Sequence, residues 1–326
     1  MKCIITGGAG FIGSNLADKL VQLGHKVTII DNLSTGVKKN LNNIKSKIKF
    51  INYDISKESL KFKKIFNGAD WVFHLAGLAD IVPSIRNPKK YFKANVEGTL
   101  NVINASKDSK VKKLVYAGSA SYYGIPKKFP IKEDAPIETN YPYALTKYLG
   151  EKLVLDWAKI YKAKNVSLRF FNVYGPRSRT TGAYGAVFGV FLAQKLFKKP
   201  LTVVGNGKQT RDFVHVYDLV NGLILAAKRG KPGEVYNIAG GKEITVNYIA
   251  KLIGGKKIYI PRRPGEPSRS LASINKIKTQ LKWRPRVSVK QGVNELLNNI
   301  KHWKQAPVWT PKKIKYATKD WFKYLK

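Results

Sequence analysis

Short apolar, β-branched runs alternate along the first half of the chain with longer segments that keep one apolar face at helical spacing. The runs cover residues 3–6, 26–30, 48–52, 71–75, 113–117 and 166–170, and they read as strands. Between them, residues 14–23, 95–106 and 144–159 read as amphipathic helices. Strands separated by helices of that length predict βαβ units, and so an α/β fold with a doubly wound parallel sheet covered on both faces. The second half is less regular, with turn signals at 205–207, 229–233, 240–241 and 261–267. Residues 234–238 read as one more strand, available to return to the first sheet. In the basic tail, Trp303, Trp309, Trp321, Phe322 and Tyr324 are expected to dock on the core from a C-terminal helix.

Composition narrows the class. The 326 residues predict two domains of ~150 residues each, and 44% hydrophobic residues exclude a disordered chain. One cysteine, Cys3, excludes a disulfide framework and suits a reducing cytosol. The four histidines, His25, His74, His215 and His302, show no metal-ligand spacing. Residues 1–13 do not resemble a signal peptide, and the longest apolar stretch, 183–193, is too short to span a bilayer. A soluble, cytoplasmic protein without membrane insertion is expected. The charge is extreme, with 60 Lys and Arg against 20 Asp and Glu, a net +40. Such a field attracts polyanions. The lysines are spread along the whole chain without a nucleic-acid motif, so no specific nucleic-acid partner is expected.

The first strand runs into Thr6-Gly7-Gly8-Ala9-Gly10-Phe11-Ile12-Gly13, where a helix opens. Three glycines at three-residue spacing suit a tight turn, a close approach to a pyrophosphate, and close helix-to-strand packing. The helix N-terminus adds free N–H groups for phosphates. Asp31 ends the second strand, 18 residues after Gly13, with Asn32 beside it. A carboxylate there accepts from ribose hydroxyls and repels a 2′-phosphate, which selects NAD over NADP. Asp54 and Ile55 follow the third strand on the adenine side, and Leu75, Ala76 and Gly77 close the fourth at the same sheet edge. Asn95 is open to two readings, a helix cap or part of the cofactor shell.

Tyr143 and Lys147 stand four residues apart after Pro142, a spacing that puts both on one helical face. A free tyrosine, with pKa ~10, is a poor base at neutral pH. A nearby ammonium and a positive nicotinamide ring are expected to move it down toward working pH. Ser119, with Ser121 close behind, lies just past the fifth strand, where its hydroxyl can bond to a substrate oxygen.

With these motifs the chain resembles the extended short-chain dehydrogenases/reductases, in their nucleotide-sugar epimerase/dehydratase branch, over essentially its whole length. The resemblance implies a Rossmann domain over 1–171 and about 212–238, and a smaller nucleotide-sugar-binding domain over about 172–211 and 239–326. It assigns the family's Ser, Tyr and Lys to Ser119, Tyr143 and Lys147. Within Arg169-Phe170-Phe171-Asn172-Val173-Tyr174-Gly175-Pro176 it implies that Asn172 contacts the substrate diphosphate. Within Arg211-Asp212-Phe213-Val214-His215 it places Arg211 on a phosphate. In Arg262-Arg263-Pro264-Gly265-Glu266 it makes Arg263 the diphosphate clamp and Glu266 the ribose partner, and it implies a homodimer through a four-helix contact. The family gives His215 no catalytic task.

Sugar-nucleotide 4,6-dehydratases carry an Asp-Glu pair where this chain has Ala120 and Ser121, which cannot move the protons of dehydration. The resemblance therefore implies a 4-epimerase of a UDP-hexose or UDP-N-acetylhexosamine. A dehydratase or reductase of the same fold, and a non-catalytic nucleotide- or nucleic-acid-binding scaffold, are the alternatives. Four residues past Glu266, Ser270 falls where the family gates the sugar's C2 substituent, and its small size predicts entry of acetamido sugars.

Overall fold

The computed structural model of the chain describes residues 1–181 and 184–325. Twelve strands are formed among them, β1 (Lys2–Thr6), β2 (Lys26–Asp31), β3 (Ile48–Asn52), β4 (Trp71–His74), β5 (Lys113–Ser119), β6 (Asn165–Phe170), β7 (Asn172–Tyr174), β8 (Leu201–Val204), β9 (Thr210–His215), β10 (Val235–Ile238), β11 (Glu243–Thr245) and β12 (Lys257–Ile260). Seven of them build one parallel sheet in the order β10-β6-β5-β4-β1-β2-β3. The order reverses between β1 and β4, and at such a switch point the strand ends leave a crevice for ligand. All six strands read from the sequence lie in this sheet. The seventh returns as expected, β10 pairing parallel with β6 through Tyr236 and Leu168.

Apolar residues fill both faces of the sheet. Leu16 and Leu20 from the helix Phe11–Gln22, with Leu219 and Leu223 from Val216–Arg229, cover one face. Val102 of the helix Gly98–Asp108 and Val154 of the helix Pro142–Ile160 cover the other. The helix expected over 95–106 begins differently, with a π turn at Lys93–Glu97 that carries Asn95. A third core gathers Tyr174, Phe191, Leu201, Phe213, Ile249 and Trp303 around two small sheets, β11-β9-β7 and β12-β8. β9 lies between cores, with Phe213 in the third and Val214 in the first. Ile277 and Trp283, late in the chain, also pack into the first core.

The apolar run at 183–193 supplies the helix Val187–Leu196, while its first residue, Ala183, lies outside the described residues. No helix among the described residues is long and apolar enough to cross a membrane. The tail differs from a single docking helix. It forms three short ones, Ile300–Gln305, Pro311–Ala317 and Lys319–Tyr324. Trp303 and Trp321 are buried, but Phe322 and Tyr324 stay exposed. A six-residue helix seats one large ring, and Trp321 holds that seat by donating Nε1 to the Pro264 carbonyl at 2.7 Å.

Under the C-terminal edge of β5 lies a buried ion pair. Glu151 and Arg169, both nearly inaccessible, meet through Arg169 Nη2 to Oε1 at 2.7 Å and Nε to Oε1 at 3.1 Å. Tyr122 and Ser167 also donate to Glu151 Oε2, at 2.5 and 2.7 Å. Removing one partner of a buried pair leaves an uncompensated charge, at a cost of ~3–5 kcal/mol. Arg169→Met is therefore expected to lower unfolding stability by about that amount. The double variant Glu151→Leu/Arg169→Met should recover much of the loss, as measured by urea denaturation. A double variant no better than the singles would show that the charges themselves are not what matters.

Candidate active site

The glycine turn after β1 is built by close contacts. Gly7 has φ +72°, and a Cβ there would stand 2.7 Å from the Ala76 amide nitrogen at the end of β4. At Gly13 a Cβ would stand 2.3 Å from the Gly7 carbonyl oxygen, so only glycine lets the helix start this close to the turn. Gly10 is different, since an added Cβ would meet only the Gly7 carbonyl, at 3.2 Å. Its open side faces a cleft of about 470 Å³ that also takes in Phe11, Ile12 and Gly13. Asp31 and Asn32 line the cleft from β2, Asp54 and Ile55 from beyond β3, and Leu75, Ala76 and Gly77 from beyond β4.

Asp31 is buried and accepts from the Ala9 amide at 2.9 Å and the Leu33 amide at 2.8 Å. Burial raises its pKa, and these two bonds offset part of the rise. A carboxylate has about four acceptor sites, so Asp31 keeps capacity for hydroxyl donors from the cleft. Burial also raises Asp54, but bonds from Ser56 and Asn32 outweigh it and leave its pKa below the usual range. Asn95 does not line the cleft. Its amide accepts from Leu78 N at 2.7 Å and donates to Leu78 O at 3.0 Å and Thr146 Oγ1 at 3.1 Å. It clamps the loop after β4 rather than capping a helix. His74, which carried no signal in the sequence, bridges Thr6 Oγ1 at 2.7 Å and Thr99 Oγ1 at 2.9 Å. Burial holds it neutral, with its pKa down to about 3.

Tyr143 and Lys147 lie at the start of the helix Pro142–Ile160 and reach the same cleft. Tyr143 Oη donates to Ser119 Oγ at 3.4 Å, and Ser119 Oγ donates to Ser121 Oγ at 2.8 Å. The Lys147 ammonium sits 4.2 Å above the Tyr116 ring. The expected lowering of Tyr143 belongs to the chain with a positive nicotinamide ring beside it, and the chain by itself starts from the other side. In the chain by itself burial raises the Tyr143 pKa, offset in part by Ser119 and Ser121. Burial also brings Lys147 down to about 7, opposed by the Glu151 charge one turn on. Desolvation penalises both charges.

A second cavity of about 250 Å³ adjoins the first, and Asp80, Val173, Phe188 and Val190 line both. It gathers Asn172, Arg211, Arg263 and Glu266 from three distant stretches of sequence. Glu266 accepts from Arg211 Nη2 at 2.6 Å and from Arg263 Nε at 2.7 Å. The Arg263 guanidinium lies between Trp321, at 4.9 Å, and Tyr184, at 5.5 Å. Ser270 lines neither cavity. Its segment is drawn onto other elements, through Thr210 N to Ser268 O and Ile131 N to Leu271 O. His215 caps the helix Val216–Arg229 and is buried 3.2 Å from Glu295, away from the cleft. Asp80, Arg179, Tyr184 and Trp321 were not singled out for the site from sequence, and only the aromatic tail hinted at one of them.

A cleft walled by a glycine turn and a helix start, adjoining an arginine-lined cavity, suits the class of dinucleotide-dependent enzymes that take a phosphorylated substrate. The chain belongs to the NAD dependent epimerase/dehydratase family, whose model matches residues 3–239. It is 36% identical over 306 residues to a putative UDP-glucose 4-epimerase of Methanocaldococcus jannaschii, covering 92% of this chain and 98% of the relative. The UDP-glucose 4-epimerase of Thermotoga maritima, solved with UDP-glucose, superposes with TM-score 0.87 at 33% identity, covering 93% and 99% of the two chains. The UDP-glucuronic acid 4-epimerase of Bacillus cereus, solved with UDP-glucuronic acid and NAD, superposes with TM-score 0.85 at 32% identity, again covering 93% and 99%.

The depressed Lys147 pKa makes stability depend on pH. Below about 7 both folded and unfolded chains hold the proton, and the cost of burying the ammonium is fully present. Between there and the ordinary lysine value the unfolded chain binds more protons, so stability rises with pH. Lys147→Met should thus raise the melting temperature most below pH 7, with the gap to wild type closing toward about pH 10. Thermal unfolding of both proteins across that range checks this, and a pH-independent gap would contradict it.

Proposed function

We propose that the chain is an NAD-dependent 4-epimerase of a uridine diphosphate sugar. The observation that carries the reading is Tyr143 in the wall of the glycine-turn cleft, with Lys147 beside it and Ser119 within 3.4 Å, next to an adjoining arginine-lined cavity. The named relatives support the same activity.

The open side of Gly10 and the helix N-terminus beyond it fit a pyrophosphate. Asp31 and Asn32 would hold the adenosine ribose, Asp54 and Ile55 the adenine side, and Tyr143 and Lys147 the nicotinamide end. When bound, NAD supplies a hydride acceptor for sugar C4 and then a donor to the opposite face. Tyr143 takes the O4 proton as C4 is oxidised and returns it on reduction. Ser119 and Ser121 hydrogen-bond the same oxygen as charge moves onto it. Lys147, when protonated, would favour the phenolate. Arg211, Arg263 and Asn172 would bind the diphosphate, with a guanidinium fork matching its oxygens. Glu266 already holds both guanidiniums in place and would meet the nucleotide ribose. The large sheet would thus carry the cofactor and the smaller sheets the nucleotide sugar.

Dehydration would need an acid and a base beside Ser119, and Ala120 and Ser121 provide neither. A homodimer fits the exposed Leu145 and Ile160 on the helix Pro142–Ile160. A reducing, cytoplasmic setting suits the free, buried Cys3.

Two measurements test the reading. Tyr143→Phe should lower the rate of UDP-glucose to UDP-galactose conversion at least ~100-fold while NAD stays bound. Near-normal turnover would remove Tyr143 from the mechanism. Asp31→Ala should weaken NAD retention and relax discrimination against NADP, and wild-type protein purifying with NADP would contradict the cofactor assignment.

A further inference from the structure

The junction of the two cavities holds an ion pair that the mechanism above does not use. Asp80 follows β4 with φ +81°, a backbone region that side chains other than glycine seldom adopt and that concentrates at functional sites. It lines both cavities. Its Oδ2 accepts from Arg179 Nη2 at 2.5 Å, and Arg179, from the loop after β7, lines the larger cleft. Both side chains are less than one-third exposed. The Asp80 charge reaches the base, since it raises the pKa of Tyr143 as well as that of Tyr91. In a chain of net +40, this junction is neutral.

A sugar with its C4 at Tyr143 and its diphosphate in the arginine-lined cavity carries its C5 substituent next to the reacting carbon. That substituent is a neutral hydroxymethyl group in a hexose and a carboxylate in a uronic acid. Relatives solved with UDP-glucose and with UDP-glucuronic acid share this fold almost equally well, so the choice between them is made locally. We propose that the Asp80–Arg179 pair is a charge filter that admits neutral hexoses and excludes uronic acids. Asp80 neutralises Arg179, a cation of the cleft wall that would receive a C6 carboxylate, and it sets a like charge against that group. Specificity then comes from a built-in repulsion as well as from fit. The inference rests on the epimerase reading and names its substrate class.

The test uses the wild-type holoenzyme, Asp80→Asn, Asp80→Gly, Arg179→Gln and the double variant Asp80→Asn/Arg179→Gln. Glycine accepts the positive φ without strain, which guards against a folding defect in the asparagine variant. UDP-glucose and UDP-glucuronic acid are compared by kcat/KM and, independently, by calorimetric Kd. Wild type should favour UDP-glucose. Each single Asp80 variant should shift the ratio toward UDP-glucuronic acid by at least ~10-fold, the shift should vanish in the double variant, and Arg179→Gln alone should not produce it. A wild type that takes both sugars equally, or a ratio unmoved by either Asp80 variant, would overturn the filter. If the Kd ratio shifts as expected while no variant and no wild type turns over either sugar, the filter stands and the epimerase reading fails.

Discussion

The site is referenced to one buried pair of charges. Glu151 lies one turn beyond Lys147 on the helix that starts with Tyr143, and Arg169 lies on β6 beside Gly118 of β5. Neither ion tolerates burial alone, so each must be met in full. Around them, Ser119 N donates to Tyr122 Oη and Tyr122 donates to Glu151. Arg169 Nη1 donates to Tyr123, which donates to Asn237 on β10. The serine, the tyrosine, the lysine and the returning strand are thereby fixed to a common anchor. Gly118 shows how little room is left, because a Cβ there would lie within 3 Å of Ser167 Oγ, Tyr122 Oη and Glu151 Oε2.

What the sequence disclosed follows from which forces act locally. Strands of a doubly covered parallel sheet must be apolar on both faces, so all seven stand out as short apolar runs. The spacing of Gly7, Gly10 and Gly13, and of Tyr143 and Lys147, is set by turn and helix geometry and is equally legible. The strands of the two small sheets other than β9, namely β7, β8, β11 and β12, are short, are defined by their partners and leave no period to read. The positive φ of Asp80 could not be seen, because nothing in an aspartate announces it. Spacing reports a neighbour's charge but not the burial that both groups share, so the rise of Tyr143 in the chain by itself is not legible there. The bonds of Asn95 to Leu78 join positions 17 residues apart, and the π turn that carries Asn95 leaves no mark on the periodicity.

The arginine-lined cavity is assembled from pieces that hold one another. Arg263, between Tyr184 and Trp321, is kept in register with Arg211 by Glu266. The tail that supplies Trp321 is tied back by Asp320 to Arg86 at 2.5 Å, at the end of a helix that begins directly after Asp80. Holding the guanidiniums on a carboxylate spares an arriving diphosphate the entropy of ordering them. It also links the wall of the arginine-lined cavity to the loop that carries Asp80.

The neutral junction acquires its meaning from the excess of lysine around it. A surface field of this sign speeds the arrival of any nucleoside-diphosphate sugar, and of an acidic one, a charge richer, at least as much as of a neutral one. Capture from solution is therefore fast and indiscriminate, and it is screened by salt over about a Debye length. The choice must be made after encounter, in how quickly the wrong ligand departs. A balanced pair in a part-buried wall is little affected by ionic strength, so selectivity persists where attraction fades. The chain thus divides labour between a long-range collector on its surface and a short-range judge at Asp80.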